Sequence, residues 1–140
     1  MKTVKFRFWD KERKIMITSP QGCYTAIRNV MNIYASAGFS DCNCKPDNKY
    51  ITMQYIGMDD KNVANIFEGD IVLYQPENHN TTIRFEIVYD ENNACFGLFP
   101  CEKGCFDSDW SYDAPMPLFG LFQGDFEVIG NRYEHKHLLT

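Results

Sequence analysis

Two stretches of strict two-residue alternation constrain the fold of this chain most. In "TVKFRFWD", residues 3–10, Val4, Phe6 and Phe8 alternate with Lys5 and Arg7. "TTIRFEIVYD" alternates in the same way, with Ile, Phe, Ile and Tyr at every second position. Successive side chains of a β-strand point to opposite faces of a sheet, so each stretch predicts a strand with one apolar face.

Turn signals follow both stretches directly. The polar run "DKERK" separates the first from "IMIT", and "DENN" separates the second from "ACFGLF". Two apolar runs joined by a short polar turn predict a β-hairpin in each case. On the second strand, the core side is predicted to carry Ile83, Phe85, Ile87 and Tyr89.

The rest of the chain predicts further strands and one helix. "YITMQYIGM", "IVLY", "LFGLF" and "FEVIG" are short apolar runs between turn residues, whereas residues 25–37 show helical spacing with Gly38 in the C-cap position. Residues 38–49 indicate a loop, and the three prolines of residues 100–117 indicate a long surface excursion. We expect one mainly β domain over residues 1–140, a compact antiparallel barrel or sandwich with about one α-helix.

The acidic turn in "NIFEGDIVLY" lies at the start of the most apolar run. We expect Gly69 to provide a positive φ, and Glu68 and Asp70 to accept hydrogen bonds from nearby backbone N–H groups. "ITMQYIGM" and "IFEGDIVLY" then form a hairpin around the "MDDKN" loop. Gly-Asp entries of this kind are local features of SH3-like barrels. This turn is therefore interpreted as structural.

Charge is unevenly distributed along the 140 residues. The first 14 carry six basic and two acidic residues, a local charge of +4, and the net charge of −5 leaves −9 for the remainder. An acidic body disfavours non-specific nucleic-acid binding. The N-terminal hairpin is the exception, because its outer face interleaves cations with an aromatic ring that can stack a base. The candidate binding residues are Lys5, Arg7, Trp9, Arg13 and Lys14. A solvated strand face is the simpler interpretation of the same pattern.

No constellation predicts catalysis. The pairs Asp59–Asp60 and Glu68–Asp70 have the residue type for acid–base work, but both lie in predicted turns, where carboxylates are usually solvated. "DSDWSYD" lacks the glycine and terminal glutamate of a calcium loop. We expect no enzyme and no cofactor.

Metal and disulfide sites are not expected either. The spacings of the six cysteines do not form the two matched pairs of a structural zinc site, and a reducing compartment would keep them as thiols. Glu134, His135 and His137 are too close in sequence to close a tetrahedral site by themselves.

Four stretches in order resemble one protein family. They are "KFRFWD" near the start, "MQYIGMDDKN", "IFEGDIV" and finally "EVIGNRYEH". Together they resemble the YopX family of bacteriophage- and prophage-encoded proteins. The resemblance implies a mainly β protein of unknown biochemical role, with no established catalytic residues to transfer. "YEHKH" departs from the family's usual tail, and neither residues 22–49 nor the cysteines belong to its pattern.

These observations rank a non-enzymatic, protein-binding or self-associating module first, since the chain is rich in the aromatic residues that dominate interface energetics. Single-strand nucleic-acid binding by the N-terminal hairpin is the alternative. No apolar run is long enough for a membrane span, and no secretory signal follows the basic start. A cytoplasmic location in a bacterial host is therefore expected.

Overall fold

The structure, a computed structural model, describes residues 4–18, 49–75, 81–102, 115–118 and 125–140. Nine strands and one short 3-10 helix lie in these ranges. They are β1 Phe6–Asp10, β2 Ile15–Ile17, β3 Tyr50–Asp59, β4 Asn65–Phe67, β5 Asp70–Tyr74, β6 Ile83–Asp90, β7 Cys95–Pro100, β8 Met116–Pro117, β9 Phe126–Asn131 and the 3-10 helix Lys136–Leu139. Every strand pair is antiparallel. The chain is thus mainly β, as predicted.

The chain divides into two compact units. One comprises Val4–Gln54 and the other contains Tyr55–Thr140, so β3 contributes to both. A single domain over the whole chain stays a prediction. Of the helical segments in the described ranges, none has the length and apolar character needed to cross a bilayer.

In the first unit, β1 lies between β2 and the first half of β3. Phe8 is paired with Ile17 on one side and with Thr52 on the other. The hairpin predicted around "DKERK" is confirmed, and its loop ends at Lys14, which has a φ of 57°. Among the described residues of this unit, the buried apolar ones are Phe8, Trp9 and Met53.

In the second unit, a five-stranded sheet has the order β8-β7-β6-β5-β9. Its core face follows the alternation of β6, since Phe85 and Ile87 are fully buried. Tyr89 is 45% exposed, so its predicted place in the core is wrong. The core cluster consists of Ile66, Val72, Phe85, Ile87, Leu98 and Phe126. The hairpin predicted at "DENN" is confirmed, with Asp90 opposite Cys95.

The "IFEGDIVLY" stretch forms two strands rather than one. Its first part, β4, pairs with β3 as expected. The predicted continuation of that hairpin is wrong, because β5 pairs with β6 and β9 instead. The chain turns at Gly69, whose φ is 80°, as predicted for this glycine. The Gly69 N–H donates to the carbonyl of Ile87, and its own carbonyl accepts from the Arg132 N–H.

Several predictions lie outside the described residues. These are the helix at 25–37 with its cap at Gly38, most of the loop that follows, the end of β5 at Pro76, most of the proline-containing excursion and most of the "LFGLF" strand.

Candidate functional site

The basic residues predicted to bind nucleic acid do not share one exposed face. Arg7 is 8% exposed and Trp9 is 6% exposed, and Lys5 is half-buried. Arg13 and Lys14 lie in the exposed loop beyond the strand. The expectation that Arg7 and Trp9 lie on an exposed outer face, as the nucleic-acid alternative requires, is therefore wrong. Both faces of a strand can be buried by neighbouring residues, and the alternation of the strand itself does not show whether its polar face is buried as well.

An ion network organises the β1–β2 loop. The buried carboxylate of Asp10 accepts hydrogen bonds from the N–H groups of Glu12 and Arg13, each at 2.9 Å. The bond from Arg13 is the main reason that the pKa of Asp10 lies below its usual range. The Lys49 ammonium lies 3.1 Å from a Glu12 carboxylate oxygen and 3.9 Å from one of Asp10. Both acidic residues near this loop therefore already have a cation beside them.

The two predicted carboxylate pairs serve turns. One oxygen of Asp60 accepts hydrogen bonds from the N–H groups of Asn62 and Ala64, and the other accepts one from Val128 on β9. Burial raises the pKa of Asp60, but these three bonds and Lys61 outweigh it, so the net pKa is lowered. Asp59 accepts a hydrogen bond from the Tyr55 hydroxyl at 3.0 Å.

The Glu68–Gly69–Asp70 turn contains one of the hydrogen bonds predicted for it. A carboxylate oxygen of the buried Asp70 accepts a hydrogen bond from the N–H of Phe67 at 2.8 Å. Glu68 is half-buried. The interpretation of Asp70 as a turn-forming residue is confirmed.

One arrangement recurs at four strand ends. A buried Asp or Asn closes the strand, and its side-chain oxygen accepts backbone N–H groups two to four residues later. The four residues are Asp10, Asp60, Asp90 and Asn131. Such side chains satisfy donors that a tight turn would otherwise leave unpaired. The sequence signal was an Asp or Asn between a strand and a polar loop.

The C-terminal histidine also has a structural partner. The Nδ1 atom of His135 accepts the N–H of Asn131 at 3.2 Å, and the His135 N–H donates to the Asn131 carbonyl at 2.9 Å. The imidazole lies directly over Gly130, where an added Cβ would be 2.8 Å from the ring. Within the described ranges, no three His, Cys, Asp or Glu side chains converge as a metal site would require.

An ion pair between a buried carboxylate and an exposed guanidinium lies on the sheet face opposite the core. Glu86 on β6 is largely buried, and its carboxylate lies 2.8 Å from the Arg132 guanidinium. Burial raises the pKa of Glu86, and Arg132 opposes that rise. Arg84, two residues earlier on the same face, pairs with Glu102. Sequence reasoning missed these pairs, because their partners are distant along the chain.

The described residues also form an open cleft of about 410 Å³ at the turn end of the β6–β7 hairpin. We call it the hairpin cleft, and its described lining residues are Asp90, Asn93, Cys95, Gly97, Pro115 and Pro117. Gly97 makes the cleft possible, because a Cβ at this position would lie 2.9 Å from the Met116 carbonyl oxygen and from the Pro115 Cβ. No local pattern indicated the cleft, since β8 lies far from the hairpin along the chain.

Chemically, the hairpin cleft combines a carboxylate with apolar walls. Asp90 accepts hydrogen bonds from the Asn92 N–H and the Asn93 side-chain amide. The Asn93 amide is the main cause that lowers the pKa of Asp90, so this carboxylate is charged at neutral pH. Cys95 is a free, half-buried thiol, Cys101 is half-buried, and the other four cysteines lie outside the described residues.

A comparison with protein families identifies the chain. The model of the family described as YopX protein matches residues 5–140. The chain belongs to the YopX family. The resemblance found in four separate motifs is thereby confirmed over nearly the whole length.

A solved structure has the same fold as this YopX protein. It is the crystal structure of protein EF1440 from Enterococcus faecalis, with a TM-score of 0.55, 22% sequence identity and full coverage of both chains. At this identity the likeness concerns the fold alone. No curated protein matches the chain.

The YopX motifs coincide with the turn residues. "KFRFWD" ends at Asp10, "MQYIGMDDKN" contains Asp60, "IFEGDIV" contains Asp70, and "EVIGNRYEH" contains Asn131. Each of these side chains binds backbone N–H groups. The polar residues that make the family recognisable are thus engaged in holding the fold.

Proposed function

We propose that this YopX protein is a non-enzymatic, protein-binding accessory module of phage or prophage origin that acts in the host cytoplasm. We place its contact surface at the turn end of the β6–β7 hairpin. The observation that carries the proposal is an aromatic pair with one exposed ring near the turn end of this hairpin. Tyr89 is 45% exposed and stands edge-on to Phe96, with 5.3 Å between the ring centroids.

Exposed aromatic rings are favourable anchors for protein partners. They provide a large contact area with few rotatable bonds, and such residues account for much of the binding energy at interfaces. Tyr89 and Phe96 are opposite each other across the hairpin, so the sheet holds both backbones in place. A partner meeting this pair would need little reorganisation of the hairpin.

The absence of an enzymatic role is part of the proposal. It is supported by the hydrogen bonds that occupy the motif carboxylates, Asp60 and Asp70. A general acid or base must reach a substrate proton, whereas these side chains are buried and bound to backbone donors.

Site-specific photo-crosslinking tests the proposal. A photoreactive phenylalanine analogue at position 89 is expected to give a discrete protein adduct in infected or lysogenic cells. The matched control is the same analogue at Phe99, which is 37% exposed and lies on the opposite face of the hairpin. The purified partner should then bind at least about tenfold more weakly to Tyr89→Ala, which corresponds to about 1.4 kcal/mol.

Two results would overturn the proposal. One is the same set of adducts at positions 89 and 99, which would mean that crosslinking reports accessibility alone. The other is a partner whose saturable binding is unchanged in Tyr89→Ala, because the aromatic pair would then not be the anchor.

A further inference from the structure

The β1–β2 loop presents cations to solvent. Residues 11–14 are all exposed, and we call them the basic loop. Glu12 is paired with Lys49, so the acidic residue of the loop is already engaged. Within the part of the chain that the structure describes, the side chains of Lys11 and Lys14 have no acidic partner. Arg13 is 4.0 Å from Asp10, yet its side chain is 72% exposed.

The hairpin cleft has the opposite character. Asp90 lines it and is charged at neutral pH, and Glu91 lies exposed at the start of the adjoining loop. No lysine or arginine is among the described lining residues. Of the five other described lining residues, three are glycine or proline, and the aliphatic part of a long side chain can pack against them.

Size also fits a long basic side chain. A volume of about 410 Å³ falls within the range of about 300–1,000 Å³ that is usual for binding clefts. Asp90 accepts the Asn92 N–H on one carboxylate oxygen and the Asn93 side-chain amide on the other, whereas a carboxylate has about four acceptor positions. A guanidinium or ammonium group can therefore bind without displacing the turn.

We infer that the basic loop of one copy binds the hairpin cleft of a second copy. This inference rests on the proposed function, and it names the partner as the protein itself. Charge complementarity supports it, because the basic loop carries Lys11, Arg13 and Lys14 against Glu12 alone, whereas Asp90 and Glu91 lie at the hairpin cleft. The contact joins two different surfaces, so it is heterologous.

Charge reversal combined with a concentration series tests this contact. Sedimentation velocity at about 0.02 M salt should show association that weakens strongly at about 0.5 M, because exposed charges are screened within a few ångströms at high salt. Arg13→Glu and Glu91→Arg should each weaken association at least tenfold. The double variant should regain most of the loss, since the new pair has the reversed polarity. Lys136→Glu is the matched control, as Lys136 is an exposed cation on the C-terminal helix.

The outcomes separate this inference from the proposed function. A monomer at every concentration in low salt would overturn the inference, and so would a Lys136→Glu variant that weakens association as much as Arg13→Glu. Association without recovery in the double variant would also overturn it. A photo-adduct at position 89 with a different protein would leave the proposed function standing in each of these cases.

Discussion

The carboxylate of Asp60 joins a turn to the edge of the five-stranded sheet, because it accepts the N–H of Val128 on β9 at 3.0 Å. The adjoining Lys61 N–H donates to the carbonyl of Phe126 on the same strand. These two bonds occupy backbone groups on the side of β9 that faces away from β5. An edge strand with paired backbone groups is a poor template for uncontrolled strand addition.

We expect Asp60→Ala to lower the free energy of unfolding by about 2–4 kcal/mol, since three backbone N–H groups would lose a charged acceptor. Asp60→Asn should cost less, because one oxygen remains. Urea unfolding followed by far-ultraviolet CD measures both. Glu91→Ala is the control for removing an exposed acid. Equal stability of Asp60→Ala and the wild type would contradict the role of Asp60.

The acid limb of the stability profile should depend on the buried aspartates. Asp10, Asp60 and Asp90 have lowered pKa values in the folded protein. Their contribution to the free energy of unfolding is fully present above the pKa of about 3.9 that they have in the unfolded chain. It is lost as the pH falls through their pKa values in the folded protein. The raised pKa of Glu86 acts in the opposite sense, so its contribution is lost as pH rises through its folded value.

Urea unfolding at a series of pH values checks these signs. Asp60→Asn should have a shallower loss of stability below about pH 4 than the wild type, because one linked group has been removed. Glu86→Gln should lessen the decline on the higher-pH side. The same acid slope in Asp60→Asn and the wild type would count against the link between this carboxylate and stability.

Local features of the fold were predictable from the sequence. Alternation located β1 and β6, polar runs located both hairpins, and the positive φ of Gly69 followed from its place in an acidic turn. Each depends on residues adjacent in the chain. Tyr89 is a partial exception, because alternation assigned it to the core face but could not show that the core ends before it.

What could not be predicted depends on distant partners. Trp9 is buried although its strand alternates, and Glu86 finds Arg132 from the other end of the chain. The hairpin cleft requires β8 to approach Gly97. The common role of the four turn-closing Asp and Asn residues had a local signal, but only their burial distinguishes them from ordinary solvated loop residues.

Val63 is strained in the turn that Asp60 closes. It is a β-branched residue with a φ of 64°, and it is 77% exposed. Val63→Gly should raise the free energy of unfolding by about 1 kcal/mol, because relief of left-handed strain exceeds the entropy cost of glycine. Val4→Gly is the matched control, since Val4 is exposed and has no positive φ. The free energy of unfolding of Val4→Gly should not rise. A Val63→Gly protein that is less stable than the wild type would show that Val63 is not strained.

Gly130 is required by the imidazole of His135. Gly130→Ala should destabilise the protein by about 1–3 kcal/mol, because the new methyl group would displace the ring that accepts the Asn131 N–H. In a double-mutant cycle, His135→Ala removes the ring that the new methyl group would meet. The double variant should therefore lose less free energy of unfolding than the sum of the two single losses. Strict additivity in the thermal or urea unfolding of the four proteins would show that the ring does not restrict this position.

Trp9 tests the nucleic-acid alternative most directly. Because the ring is 6% exposed, Trp9→Ala should lower the free energy of unfolding by about 3–5 kcal/mol, as truncation of a buried aromatic side chain does. Trp9→Phe should keep the fold and leave the fluorescence anisotropy of a labelled single-stranded oligonucleotide unchanged. Any binding at low salt should instead depend on the exposed Lys11 and Lys14, and it should fall steeply with added salt. If Trp9→Phe folds but binds the oligonucleotide more than tenfold more weakly than the wild type, the result would support base stacking on the Trp9 ring.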